Sequence, residues 1–478
     1  MNFTYPDLRL LIAGEWIGSK GRDRQPVYNP ATQAVLGELP HATRHDLDRS
    51  LEASGEGFAL WRRTSPRERA RILKRAADFV RERQDYISWL CTVEEGKPLA
   101  EARIEIAMAA DTIEWYAEEG RRAYGRIIPT PLPEGQLRVT LEPVGPVAAF
   151  CPWNFPATNP ARKIGAALAA GCSCIVKPPE EAPGTALAIA EAFVDAGLPA
   201  GVLSVVFGEP ADISAHLLSS PVIRKLSFTG SVPVGKHLVR LCSERMIRTT
   251  MELGGHAPVI VCDDADINQT LDLSVASKFR NAGQVCVSPT RFYVQEAIYD
   301  RFVEGFAERA KNLPVGDGLD PRTRMGPLAH PRRIEAMEGL IADAVQSGAR
   351  VVAGGARIGN QGWFWAPTVL ADVPDSARIM SEEPFGPVAV LNRVSTMEEA
   401  LEKANGLPFG LAAYGFSNDV RRAAALSDGL QAGMVGINNF AISLVEAPFG
   451  GIKESGHGSE NGVEGLAACL VTKFVNQS

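Results

Sequence analysis

Hydrophobic and polar positions change their period along this chain. The opening residues are extended and turn-rich, with Pro6, Gly14, Gly18 and Asn29-Pro30. From about Leu47 to Gly120 the period is helical. Within Arg71 to Arg83, Ile72, Leu73, Ala76, Phe79 and Val80 fall on one face, and charged residues fill the other as a solvated surface. Pro129, Pro131 and Pro133 end that pattern. Leu137 to Leu141 then reads as an extended segment suited to an edge or an interface.

From Val144 onward short apolar runs alternate with helical ones. Strands are expected at Val147 to Cys151, Cys174 to Lys177, Val202 to Phe207 and Lys225 to Phe228. Helices are expected at Ala157 to Ala170, Pro183 to Ala196, Ala211 to Leu218 and Val234 to Cys242. Such alternation predicts βαβ units and a parallel sheet. A second alternation starts near Val259 and runs to about Phe416. No tandem repeat, low-complexity tract or charge run interrupts it.

Length and charge narrow the classes. A chain of 478 residues exceeds one ordinary core, so two or more lobes are expected. A net charge of -7 argues against nucleic acid or an anionic membrane as general partners, so any anion site must be local. No stretch nears the roughly 20 apolar residues a membrane helix needs, and no basic leader precedes an apolar run. A cytoplasmic, unprocessed protein is the expectation. The eight cysteines, Cys91, Cys151, Cys172, Cys174, Cys242, Cys262, Cys286 and Cys469, are scattered, which suits a reducing compartment. Cys172 and Cys174 have the wrong spacing for a zinc pair, and no metal site is expected.

Candidate chemistry centres on one thiol. A polar turn containing Gly283 delivers Cys286 just after the helical run Leu271 to Arg280. Nucleophilic thiols work as thiolates, in electropositive and partly open settings, and a loop at a helix end can present one so. Alone, the position also fits a small buried residue. Pro152-Trp153-Asn154-Phe155-Pro156 follows a strand, and its prolines stiffen a loop holding an amide that could bind an oxyanion. Glu252 lies in the apolar, glycine-rich run Met251 to Gly255, where burial would raise its pKa and suit it to base work. Lys177-Pro178-Pro179-Glu180 ends a strand, where open α/β sheets bind ligands. The Glu180 carboxylate could accept ribose hydroxyls and would repel a 2'-phosphate. Phe228 to Gly235 joins a strand to a helix and could cradle phosphate. Its spacing is not G-x-G-x-x-G, so an ordinary turn fits as well.

Taken together these stretches resemble the aldehyde dehydrogenase superfamily. The resemblance rests on Pro152 to Pro156, Lys177 to Glu180, Phe228 to Ser231, Glu252 to Gly255, Gly283 to Cys286, Glu383-Pro384-Phe385-Gly386-Pro387 and Pro448-Phe449-Gly450-Gly451, in family order over nearly the whole chain. Within it the chain is most similar to succinate-semialdehyde and 2-ketoglutarate-semialdehyde dehydrogenases, through Phe279 to Gln284, Arg162-Lys163, Ile442-Ser443 and Met251 to Ile260. Some succinate-semialdehyde enzymes carry a second cysteine two residues past the nucleophile as a redox switch. Ser288 stands there, so no such switch is expected.

The resemblance implies an α/β fold with a Rossmann-like cofactor domain (residues 1–121 and 143–252), an α/β catalytic domain (253–454) and a small β oligomerisation flap (122–142 with 468–478). It implies oxidation of a carboxylate-bearing semialdehyde, succinate semialdehyde first, by NAD, with NADP as a weaker alternative. 2-Ketoglutarate semialdehyde, glutarate semialdehyde and a broad range of aldehydes are the alternatives. It implies that Cys286 attacks, that Asn154 holds the oxyanion, and that Glu252 activates water. Lys163 and Glu460 match positions linked to proton transfer. Trp153, Lys177, Glu180, Gly230, Ser231, Glu383 and Phe385 match cofactor positions. Arg162, Arg280 and Ser443 are the candidates for the substrate carboxylate, because guanidinium groups stay charged and bind it bidentately. A homodimer or homotetramer is usual in the family. A CoA-acylating enzyme is disfavoured because such enzymes typically lack the carboxylate found at Glu252. A non-catalytic protein on this fold is disfavoured because Cys286 and Asn154 are both present.

Overall fold

The computed structural model describes residues 3–131 and 135–477. The break expected at Pro133, and Ser478 at the end of the expected flap, lie outside them. The helical region resolves into four helices, Arg44–Trp61, Pro66–Glu82, Gln84–Glu95 and Leu99–Glu119. The second shows how the sequence sets its start. Ser65 caps it by accepting from the Glu68 amide, and Pro66 occupies the first turn, where no amide donor is needed. Ile72, Leu73, Ala76 and Val80 are buried on the face the periodicity marks.

Two large sheets follow, each with its own core. The first has eight strands in the order Glu15–Ile17, Leu10–Ile12, Leu203–Val205, Cys174–Lys177, Val147–Phe150, Lys225–Gly230, Arg248–Leu253 and Gly456–His457. Its inner strands are parallel, and Leu10–Ile12 and Gly456–His457 join antiparallel. The second has seven, in the order Arg350–Ala353, Thr368–Ala371, Val388–Val394, Arg291–Gln295, Pro258–Val261, Ala412–Phe416 and Met434–Ile437. Parallel strands covered on both faces explain the continuous apolar runs. One core draws on residues 8–253 and 466–470, the other on residues 257–449.

The expected extended segment is longer than the pattern indicates, Gln136–Pro143, and it is not an edge. It is the middle of a three-stranded antiparallel sheet, between Arg126–Ile128 and Leu470–Gln477. Its partners come from before the prolines and from the far C-terminus, so local periodicity could not reveal them. Among the described residues no helix is long and apolar enough to cross a membrane, and no cluster of three or more His, Cys, Asp or Glu could hold a metal.

Candidate active site

Parallel strands end at one side of the first sheet, and the polar motifs are found there. Register sets Phe150 beside Lys177 and Thr229 beside Glu252. Gly235 lets the next helix, Val232–Ser243, lie close on the sheet, since a Cβ there would come 2.4 Å from the Leu253 side chain. A cavity of about 520 Å³ lies between these strand ends and the second sheet's loops. Asn154, Glu252 and Cys286 line it, with Glu383, Phe385, Trp153, Gly230 and Ser231 on the expected cofactor side. Arg162, Arg280 and Ser443 line it too. Four predicted site residues do not. Lys163 and Glu460 border a small void of about 10 Å³. Lys177 and Glu180 form an ion pair of their own at 2.6 Å.

Cys286 is partly exposed, whereas the other seven cysteines are buried. Its thiol and the Glu252 carboxylate face the same cavity. Carboxylates outweigh the positive charge expected around the thiol. Burial pushes the Cys286 thiol well above its ordinary value, and the Glu252 and Glu383 carboxylates push it further, against the Arg162 guanidinium. The sequence hid this, because both carboxylates reach the thiol only through tertiary packing. Burial raises Glu252 to about 7, helped by Glu460 and opposed by Lys163 and Arg162. Burial likewise raises Glu383 to about 8. A carboxyl poised near neutrality in the same cavity as a thiol can take its proton and later return to base work.

Asn154 Nδ2 donates to the Gln284 carbonyl at 3.1 Å, which ties the two motif loops together. Behind the cavity, Lys163 Nζ donates to Thr229 Oγ1 at 2.6 Å and pairs with Glu460 Oε1. Arg162 is buried. Its NH2 donates to Ser443 Oγ at 2.8 Å, its guanidinium lies 4.2 Å from the Phe449 ring centre, and Glu460 is 3.9 Å away. Arg280 stands exposed at the rim, 5.7 Å from the Phe155 ring centre. The Trp153 ring packs edge-on against Phe385, 5.5 Å between centres, and against His330. Burial drives His330 down to about 3, so it is neutral there.

Sequence reading missed the polar residues beneath these loops. Lys97 and Glu105 are both buried, 2.5 Å apart, and border the cavity. Lys278 is fully buried and donates to Ser288 Oγ at 3.0 Å; burial pulls it down to about 7. Ser288 thus holds a lysine beside the nucleophile turn. Nothing separated these lysines from the solvated charges of ordinary helices.

Residues 16–475 match the model of the aldehyde dehydrogenase family. The chain is 49% identical over 467 residues to 4-(hydroxymethyl)benzenesulfonate dehydrogenase TsaD1 of Comamonas testosteroni, covering 98% of this chain and 97% of that one. It is 44% identical to succinate-semialdehyde dehydrogenase [NADP(+)] GabD of Escherichia coli (strain K12), covering 97% and 96%. The crystal structure of succinate-semialdehyde dehydrogenase from Burkholderia pseudomallei superposes with a TM-score of 0.96 at 43% identity, covering 98% and 97%.

Proposed function

Since the chain belongs to the aldehyde dehydrogenase family and is an NAD(P)-dependent oxidoreductase acting on aldehydes, we propose that its aldehyde carries an anion at the far end, succinate semialdehyde first, and that Cys286 carries the acyl group. The observation behind the substrate class is Arg162. A guanidinium buried in a cavity, oriented by Ser443 and facing the same space as the thiol, is what a desolvated carboxylate requires. Arg280 at the rim adds a second positive charge. A sulfonate would satisfy the same donors. An aryl aldehyde bearing one is the second reading, favoured by the 49% identical relative.

Cys286 Sγ bonds to the aldehyde carbon while its proton moves to Glu252. Asn154 Nδ2 and the Cys286 backbone amide donate to the resulting oxyanion. A nicotinamide held by Glu383, Trp153, Gly230 and Phe385 would supply the hydride acceptor, and loss of hydride from that carbon would leave a thioester on Cys286. Lys163 and Glu460 relay that first proton away, which returns Glu252 to its ionised form. Glu252 then takes a proton from the water that attacks the thioester and passes it to the departing Cys286 sulfur, so that the acid and the free thiol are released.

The residues fit the dinucleotide. Glu180 Oε1 is buried and bonds to no described residue, and a ribose hydroxyl would complete it, with Lys177 beside it. Ser231 precedes a helix without capping it, which leaves its hydroxyl for pyrophosphate. Glu383 would hold the nicotinamide ribose, with Trp153, Gly230 and Phe385 around the ring. NAD is the preferred form in this reading, by charge repulsion at Glu180.

The same reading gives residues 1–121 and 143–252 to the cofactor and 253–454 to catalysis. Residues 122–142 and 468–478 form a flap that makes a homodimer or homotetramer. The exposed Ile127 and Phe474 on the three-stranded sheet support that role. Free thiols throughout suit a reducing cytoplasm.

The test is the ratio of kcat/KM for succinate semialdehyde and 4-formylbenzenesulfonate to that for butanal. Losing a charge-assisted contact costs about 1.5–3 kcal/mol, or roughly ten- to 150-fold. That loss is expected in Arg162→Ala for the charged aldehydes only, with smaller losses in Arg280→Ala and Ser443→Ala. An unchanged ratio in both arginine variants returns the enzyme to general aldehydes.

A further inference from the structure

Three consecutive residues just before the nucleophile are left-handed: Asn281 at φ 50°, Ala282 at 51° and Gly283 at 70°. For residues with a Cβ this conformation costs roughly 1–2 kcal/mol each, and it rarely occurs in runs. Something must hold the turn, and besides two local bonds from Gln284 to the Asn281 carbonyl, it is held by bonds from the other half of the molecule. The Asn281 amide donates to Glu101 Oε2 at 2.8 Å, from the helix Leu99–Glu119. Its side-chain Nδ2 donates to the Asn154 carbonyl at 3.0 Å.

That carbonyl has a second donor, Lys97 Nζ, at 2.8 Å. The same ammonium pairs with Glu105 Oε2 at 2.5 Å and lies 4.2 Å from the Phe155 ring centre. Glu105 turns its other oxygen to the amides of Ala157 and Thr158, at 2.9 and 3.2 Å, where the next helix begins. The backbone is therefore gripped at Asn154 and again at Ala157. A buried ion pair roughly breaks even in stability, so stability alone does not account for this one. What it supplies is geometry. The Asn154 loop and the Cys286 turn become one bonded body spanning both sheets.

We infer that Lys97 and Asn281 are positioning residues, which hold the Asn154 carbonyl from two sides and so fix the Asn154 side-chain amide against the Cys286 turn, where it donates to the Gln284 carbonyl. The inference rests on the reading of Asn154 as oxyanion donor. The experiment measures the rate of the first NADH turnover in Lys97→Met and Asn281→Gly, each alone and in an Asn154→Ala background. Glycine keeps the left-handed turn and removes only the amide, so it serves if Lys97→Met fails to fold. Misplacing the amide should slow the first turnover about 10- to 100-fold with the KM for cofactor unchanged. In the Asn154→Ala background the same changes should cost less than about threefold, since the amide they position is gone. Equal losses in both backgrounds, or no loss in either single variant, overturn the inference. If Asn154→Ala itself keeps the normal rate, the oxyanion reading falls first, and the inference with it.

Discussion

Two groups of buried ionisable side chains border one cavity and are built in opposite ways. Around Lys97 the central pair is matched. Its ammonium meets Glu105 at 2.5 Å and also donates to a carbonyl, while Glu95, 3.9 Å away, is raised to about 8 by burial. Around Cys286 no such pair forms. Two half-neutral carboxyls, Glu252 near 7 and Glu383 near 8, crowd a thiol that burial and then their charge hold protonated, and Glu252 Oε1 has no partner among the described residues. Matched charges fix a shape. Unmatched ones keep protons mobile near neutral pH, which acid–base chemistry requires. The contrast locates the chemistry more sharply than either group alone.

The largest effect should come from removing the thiol. Cys286→Ser should lower dehydrogenase turnover by at least about 10³-fold, read as NADH absorbance, while cofactor binding followed by fluorescence persists. Near-normal turnover would place the nucleophile elsewhere.

Glu252→Gln should still give a first burst of NADH, reached more slowly because the thiol has lost its proton acceptor, and should slow steady turnover by about 10²–10⁴-fold, with the acyl group trapped on the enzyme. A general base works ionised. In the parent enzyme the hydrolytic step should therefore speed up as pH rises through about 7, where burial has moved Glu252, and the variant should lack that limb. Removing this carboxylate should also lower the pH at which iodoacetamide alkylates Cys286, because a negative neighbour is lost. Rapid-quench data with neither burst nor adduct, in a folded protein, would remove the residue from this role.

Stability should divide the two groups the other way. Glu105→Ala strands a buried ammonium and should cost about 3–5 kcal/mol in urea unfolding. Glu252→Gln, compared well above pH 7, should be neutral or stabilising, since it removes a buried charge without a partner. Equal destabilisation by both would erase the contrast.

The smallest effect concerns cofactor choice. Glu180 should favour NAD over NADP severalfold in kcat/KM, and Glu180→Ser should narrow that gap. Its ion pair with Lys177 blunts the repulsion, which is why the expected effect is small. A parent enzyme that prefers NADP severalfold would reverse the assignment.

Apolar periodicity was enough to indicate alternating strands and helices, because each βαβ unit is local and its sheet is covered on both faces. The motif stretches likewise announced Cys286, Asn154 and Glu252 by residue type and order. The three-stranded sheet was not legible, since the pairing of Leu470 with Pro143 joins segments more than three hundred residues apart. Nor was the sign of the field at Cys286. Local sequence shows a cysteine in a turn, but its pKa depends on carboxylates delivered by the strand Arg248–Leu253 and the loop at Glu383. Lys97 stands before Pro98 in the link between two helices and Glu105 in the second of them, so nothing in the letters pairs them, and only packing removes their water. Electrostatics act through space rather than along the chain, so the residue types could be read from the letters, while their protonation and their partners arose when the two sheets closed on one cavity.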